Sequence, residues 1–308
     1  MSCQIKELVP DAPSFSIDAS DQSREVIITA SQEDDPLTKT SRDQSGNIYW
    51  TPGDELMIFS AGECAKFTSL NTTPSKKAQF KGTVSFIIGD DENGELSYCW
   101  ALYPYNSSAI YNEPDNISRT ATITTELNSA QFGKAGTFGD GYAISIGRSE
   151  SMNISFKNAH SGYYLLFNRS DITSVELKAL DGESLAGVYT IGLNESGSSL
   201  VPYVKEVVNG VDKITLYAPG GGTFEAGVRY YIVTLPDIQI QTGLAFTAHR
   251  SDGYEATYKL ISSNPFNRNK FRYLGSGNGG VYLDGRIEYQ ANIDNGTSTG
   301  WVKPGVDE

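Results

Sequence analysis

"IYWTPGDELMIF", residues 48–59, decides how the chain folds. Two short runs of strand-forming residues, 48–50 and 55–59, flank a Pro-Gly pair. Pro holds φ at about −65° at the second position of a turn, and Gly accepts the positive φ that a type II turn needs at the third. The stretch therefore reads as strand, turn, strand. Asp54 follows the turn, where a carboxylate commonly bonds a nearby backbone N–H. Glu55 opens the second strand and is expected to face solvent. Catalysis by these two acids is the weaker reading.

The same grammar continues on both sides. "REVIITAS" (24–31) sets Val26, Ile27, Ile28 and Thr29 in a row, all β-branched, and reads as a strand. "QEDDPLTKTSRDQSGN" (32–47) has no apolar pattern and many turn formers, so it reads as an exposed loop. Strands are expected in "AQFKGTVSFII" (78–88), "YCWALYPY" (98–105), "TATITTEL" (120–127) and "YAISIG" (142–147). The acidic "GDDENGE" (89–95) lacks calcium-loop spacing and reads as a hairpin connection. After residue 150 a second set begins. It comprises 152–158, 163–168, 172–180, 186–193, 213–219, 229–236, 244–250, 255–261 and 286–290. Helical periodicity is nearly absent, and short strands between Gly, Asn, Asp and Ser turns indicate sandwiches. The expected fold is all-β, with two β-sandwiches in tandem. A flexible leader would cover 1–23, an N-terminal sandwich 24–150, and a C-terminal sandwich with its tail 151–308.

Of the 308 residues, 39% are hydrophobic and 11% aromatic, enough to fill a core. The net charge of −13, with no basic stripe, repels phosphate backbones, so no nucleic-acid partner is expected. No stretch approaches the roughly 18 apolar residues of a membrane span. The two histidines, His160 in a presumed hairpin turn and His249 at a strand end, sit in no nucleophile motif. The Gly-rich "APGGGTF" (218–224) and "GSGNGGVY" (275–282) lack the Lys-Ser/Thr of a phosphate loop and read as plain loops. No metal, cofactor or catalytic residue is expected from these features. Strict alternation would point Tyr98, Trp100 and Leu102 one way and Cys99, Ala101 and Tyr103 the other. They fill a core, or their rings form a sugar-stacking platform. Cys99 is expected to pack as a small apolar thiol, with a Cys64–Cys99 disulfide unformed. Cys3, in "MSCQIKELVP", is either an incidental thiol or the first residue of a matured lipoprotein.

Taken in order, these pieces resemble the fimbrillin family, the type V pilus subunits of Gram-negative anaerobes. The resemblance runs over residues 24–261. It rests on "VIITAS…TKTS…IYWTPGDELMIF", "AQFKG" and "YCWALYPY" in the first half. In the second half it rests on "ISFKN", "ITSVELKALDGESLAGVYTI" and "AGVRYYIVTLP". It implies transthyretin-like sandwiches and no enzymatic activity. It also implies lipidation at Cys3, an outer-membrane and fimbrial location, and other fimbrial subunits as partners through β-strand addition. Family members lose their first strand to a trypsin-like or arginine-specific protease, and a neighbour's strand takes its place. Arg42 stands where the processed Arg lies, with Lys39 as the alternative; the other reading of Arg42 is an ordinary loop cation. Residues 286–308 depart from the pattern. They read as one strand and a polar tail that scarcely alternates, unlike a stalk donor segment, which points to a tip or accessory subunit. An adhesive or structural subunit is the expected function. The alternative is a surface lipoprotein that binds glycan through exposed aromatics, with a secreted hydrolase as a weaker third.

Overall fold

The computed structural model describes residues 23–33, 41–42, 48–60, 63–84, 89–90, 96–114, 118–197, 199–274, 281–295 and 300–305. The chain begins with β1 (Arg24–Ser31), β2 (Ser41–Arg42), β3 (Ile48–Tyr49), β4 (Glu55–Ser60), β5 (Glu63–Ser69) and β6 (Lys77–Val84). It continues with β7 (Gly89–Asp90), β8 (Leu96–Ser97), β9 (Cys99–Tyr103), β10 (Ile110–Asn112), β11 (Thr122–Leu127) and β12 (Ala130–Phe132). Next come β13 (Ser145–Ser149), β14 (Asn153–Ser155), β15 (Lys157–Asn158), β16 (Ser161–Leu165), β17 (Ile172–Ala179), β18 (Ala186–Ser196) and β19 (Ser199–Val211). The last strands are β20 (Lys213–Tyr217), β21 (Tyr230–Thr234), β22 (Ile238–Ile240), β23 (Leu244–Arg250), β24 (Glu255–Leu260), β25 (Asn264–Phe266) and β26 (Phe271–Arg272), before helix α1 (Leu283–Asn295). The fold is all-β, as the residue pattern indicates.

The largest sheet runs β14, β1, β6, β5, β4, β9, β13, β15. Its central strands read as nearly unbroken apolar runs because both faces are covered: all of Cys99–Tyr103 is buried. Nearer the edge, β1 and β6 alternate buried and exposed residues because one face is wet. Met57, Phe59, Trp100 and Leu102 point into the main core, where Phe59 stacks on Tyr111 at 5.4 Å. Val26, Ile28, Leu56, Phe67, Phe80 and Ala101 form a second core on the opposite face, around Trp50. Trp50 has no exposed surface and meets Phe80, Tyr103 and Phe156 edge-on at 5.0, 5.0 and 5.3 Å.

The Pro52-Gly53 turn forms as expected, with Gly53 at φ +82°. Asp54 accepts the Thr51 N–H at 2.7 Å, the Thr51 O–H at 2.8 Å and the Tyr103 O–H at 3.3 Å. It clamps the turn onto β9. Glu55 is half-exposed and pairs with Lys66 at 2.6 Å. The two acids serve the turn and the strand.

A second group of sheets runs β10, β11, β18, β19, then β12, β20, β17, β23, β24, and β21, β16, β26. Tyr163 of β16 packs edge-on against Phe246 of β23 at 5.2 Å, so these sheets share the main core. Pairing crosses residue 150 in both directions. From the first half, β11 lies along β18 and β12 along β20, whereas β14 and β15 border the largest sheet.

Several local expectations are corrected. Residues 286–290 belong to a helix. Leu283, Ile287 and Ala291, four apart, fall on one face and are 0%, 1% and 8% exposed, while Tyr289, two from Ile287, is 38% exposed. The period of four outweighs the short apolar alternation. Residues 199–211, not expected as a strand, form β19, which pairs with β18 from Ser196↔Ser199 to Ala186↔Val211. His160 sits in no turn. It is buried between Phe138 and Phe271, and its Nδ1 lies 2.8 Å from the Ile144 carbonyl oxygen. Within the expected loop 32–47, Ser41 and Arg42 pair with Tyr49 and Ile48.

Candidate functional site

β1 lies in a slot with a hydrogen-bonding neighbour on each edge. β1 pairs antiparallel with β6 through eight positions, Arg24↔Val84 to Ser31↔Lys77. On its other edge it runs parallel to β14 from Thr29↔Asn153 to Ser31↔Ser155. The Thr29 N–H donates to the Met152 carbonyl at 2.8 Å, and the Phe156 N–H donates to the Ser31 carbonyl at 2.8 Å. Removal of β1 would leave an acceptor on each side: a long antiparallel ladder on β6 and a short parallel one on β14.

Side-chain burial gives the slot its chemistry. Val26, Ile28 and Ala30 are 7%, 0% and 0% exposed and enter the core around Trp50. Burying a Val or Ile fully is worth about 1.5–3 kcal/mol each, so β1 is held mainly by apolar contact. Its outer face is polar apart from Ile27, with Glu25 paired to Lys81 at 2.6 Å. That exposed pair adds little. Gly82, opposite Val26 on β6, is the Gly of "AQFKG". A Cβ there would fall 2.6 Å from the Lys66 carbonyl oxygen and 2.6 Å from the Phe67 ring, so only Gly lets β6 lie this close to β5.

The chain leaves β1 through Glu33, which is half-buried against residues far along the sequence. Arg268 donates to its two oxygens from Nη1 at 2.7 Å and Nη2 at 3.2 Å. The Asn158 N–H donates at 3.3 Å, and Lys157 Nζ stands 3.6 Å away. Burial pushes the Glu33 carboxyl upward, but Arg268, Lys157 and the Asn158 N–H together hold it below its ordinary value of 4.5. No local pattern marks Glu33, because its partner Arg268 lies 235 residues away.

The site residues read from the sequence fall as follows. Cys3 and Lys39 lie outside the described residues. Arg42 is the second residue of β2, opposite Ile48, and its side chain lies outside them too. Cys99 is a buried free thiol, with burial pushing its pKa up to about 12. Cys64 and Trp100 both stand opposite Phe59, and Cys99 points to the other face of the sheet, so Cys64 and Cys99 do not pair. Trp100 and Tyr103 are 0% and 9% exposed and fill cores, while Tyr98 and Tyr105 at the ends of the strand are half-buried. Among the described residues, no three His, Cys, Asp or Glu side chains are grouped to hold a metal ion.

The C-terminal tail docks on its own chain. The Trp301 ring lies near the guanidinium groups of Arg169 and Arg250, 5.5 and 5.3 Å from its centre. Val302 forms an antiparallel bridge with Glu255 at the edge strand β24.

No family model and no curated protein matches the chain. Among solved structures, a proposed cell adhesion protein from Bacteroides ovatus ATCC 8483 shares 10% identity, with a TM-score of 0.41 over 80% of this chain and 89% of that one. A proposed adhesin from the same strain shares 12% identity, with a TM-score of 0.29 over 87% of this chain and 95% of that one. A fimbrial assembly protein from Parabacteroides distasonis ATCC 8503 shares 12% identity, with a TM-score of 0.27 over 80% of this chain and 100% of that one. Overlap at these scores is partial, and the function proposed next rests on the chain's own residues.

Proposed function

We propose that this chain is a non-enzymatic structural and adhesive subunit of a cell-surface type V fimbria, assembled by exchange of β1 for a strand of another subunit. The observation that carries the reading is the position of β1. An eight-residue strand fills a two-sided slot with alternating apolar side chains, and the chain continues from it through a segment containing Lys39 and Arg42. A strand cut from its chain but still seated is held by ladder hydrogen bonds and about three apolar side chains, which another extended segment can replace. In this reading the protein is anchored to the outer membrane by lipid on Cys3 and trimmed after Arg42 or Lys39. The self-docked tail supports a tip or accessory position. Limited trypsin treatment tests it: the first cut should follow Arg42 or Lys39, with the body surviving and β1 still bound. A first cut elsewhere, with the bonds after Lys39 and Arg42 both intact, would shift the account to an uncleaved tip or anchor subunit.

A second reading, glycan contact, is favoured by one surface feature. Phe132 and Tyr217, 57% and 41% exposed, stack at 5.5 Å on β12 and β20. Loss of glycan-array binding on Phe132→Ala would support it, and unchanged binding would not.

A further inference from the structure

We propose that Arg268 and Lys157 form a carboxylate receptor at the end of the β1 slot. Glu33 of the chain occupies it before exchange, and an acidic side chain on the incoming subunit strand occupies it afterwards. The inference rests on the strand-exchange reading and adds a requirement on the partner. The incoming strand must carry an Asp or Glu three residues beyond its last core-facing position, as Glu33 follows Ala30.

Three observations carry it. First, the receptor belongs to the body and not to the strand that leaves. Lys157 is on β15, and Arg268 follows β25, where its backbone N–H donates to Asp237 Oδ1 at 3.1 Å. Second, it is a built site. The side chains of Glu33, Arg268 and Lys157 are 16%, 19% and 19% exposed, and Arg268 Nη1 is aimed by a further bond to the Asn158 carbonyl at 3.0 Å. The two-pronged guanidinium contact fits a planar carboxylate and nothing apolar. Third, loss of the occupant is unfavourable. With β1 and Glu33 gone, the Arg268 and Lys157 cations would stand close together without the carboxylate that pairs with both, and their mutual repulsion favours an incoming acid. A strand that brings an acid restores the pair; one that brings Gln or an apolar residue does not. The receptor therefore helps to retain β1 until exchange and to select the strand that replaces it.

The test uses the full chain, nicked after Lys39 or Arg42 by trypsin or at a site-specific protease sequence introduced within 34–42. Two labelled peptides compete for the slot. One has the sequence of residues 24–33, REVIITASQE, amidated at its C-terminus so that only the side-chain acid is presented. The other carries Glu33→Gln. Entry is read by native mass spectrometry. The acidic peptide should enter at least about tenfold better, equivalent to about 1.4 kcal/mol. That preference should collapse in Arg268→Met protein and shrink in Lys157→Met protein. Should one variant fold poorly, the other still decides, and the wild-type comparison stands without either. Equal entry of the two peptides, or a preference that survives both substitutions, overturns the receptor while leaving strand exchange intact. Entry by neither peptide overturns the exchange reading and the receptor with it.

Discussion

At Gly82 a single missing methyl sets the spacing of two strands. A Cβ would strike the Lys66 carbonyl oxygen and the Phe67 ring, both on β5, and the strand cannot retreat without disturbing β4 behind it. Gly82→Ala is expected to lower stability by about 1–3 kcal/mol in urea unfolding. It should also loosen β1, which meets Gly82 at Val26. An unchanged midpoint would mean that β5 yields freely. Cys99 gives a chemical counterpart. Its thiol, pushed up to about 12 by burial, should resist alkylation in the native protein and react only on unfolding, as read by peptide mapping of that residue. Native labelling at Cys99 would show that the core around it opens. Residues of this kind were legible in advance when their role was local. Asp54 was readable as the partner of its turn, and Cys99 as a core thiol on an alternating strand. Glu33 was not, because its meaning comes entirely from Arg268 and Lys157, which the fold brings to it.

Among the elements, β1 was the plainest in the sequence, since four consecutive β-branched residues leave few alternatives to a strand. Helix α1 was hidden because its buried residues are only Leu283, Ile287 and Ala291, with polar residues and Tyr289 between them. β19 was hidden by Pro202 and by the polar run 205–206, tolerable because this strand is the edge of its sheet. The clasp at the end of β1 has a pH signature. The folded-state pKa of Glu33 lies below the ordinary 4.5, so its contribution to stability is fully present above 4.5 and is lost as pH falls through the lowered value. The stability difference between wild type and Glu33→Gln should therefore shrink on acidification from about pH 6 to about pH 3, measured by urea midpoints. A difference independent of pH would remove the ion pair from the account. Hydrogen exchange at the amides of 24–31 should quicken in Arg268→Met relative to wild type. Equal rates would show that the clasp does not retain the strand.

In the whole molecule, sheets and core are shared across residue 150. β11 pairs with β18, β12 pairs with β20, and one buried cluster extends from Met57 to Ile287. Such sharing predicts a single calorimetric unfolding transition, whereas two sandwiches that fold apart, divided near residue 150, would give two. The all-β class was readable from turn spacing and the near absence of helical periodicity, but which strands become neighbours was not. Pairings such as Glu126↔Val188 join residues whose local patterns carry no information about each other. The central claim is that β1 occupies a slot that another strand can take, and the most direct measurement is exchange itself. The full chain nicked within 34–42 would be incubated with excess isotope-labelled peptide of residues 24–33, and the mass of the segment bound to the folded body followed over time. Gradual replacement of the native segment by the labelled one, with the body still folded, is the predicted result. Retention of the native segment throughout, or unfolding of the body whenever that segment departs, would contradict the account.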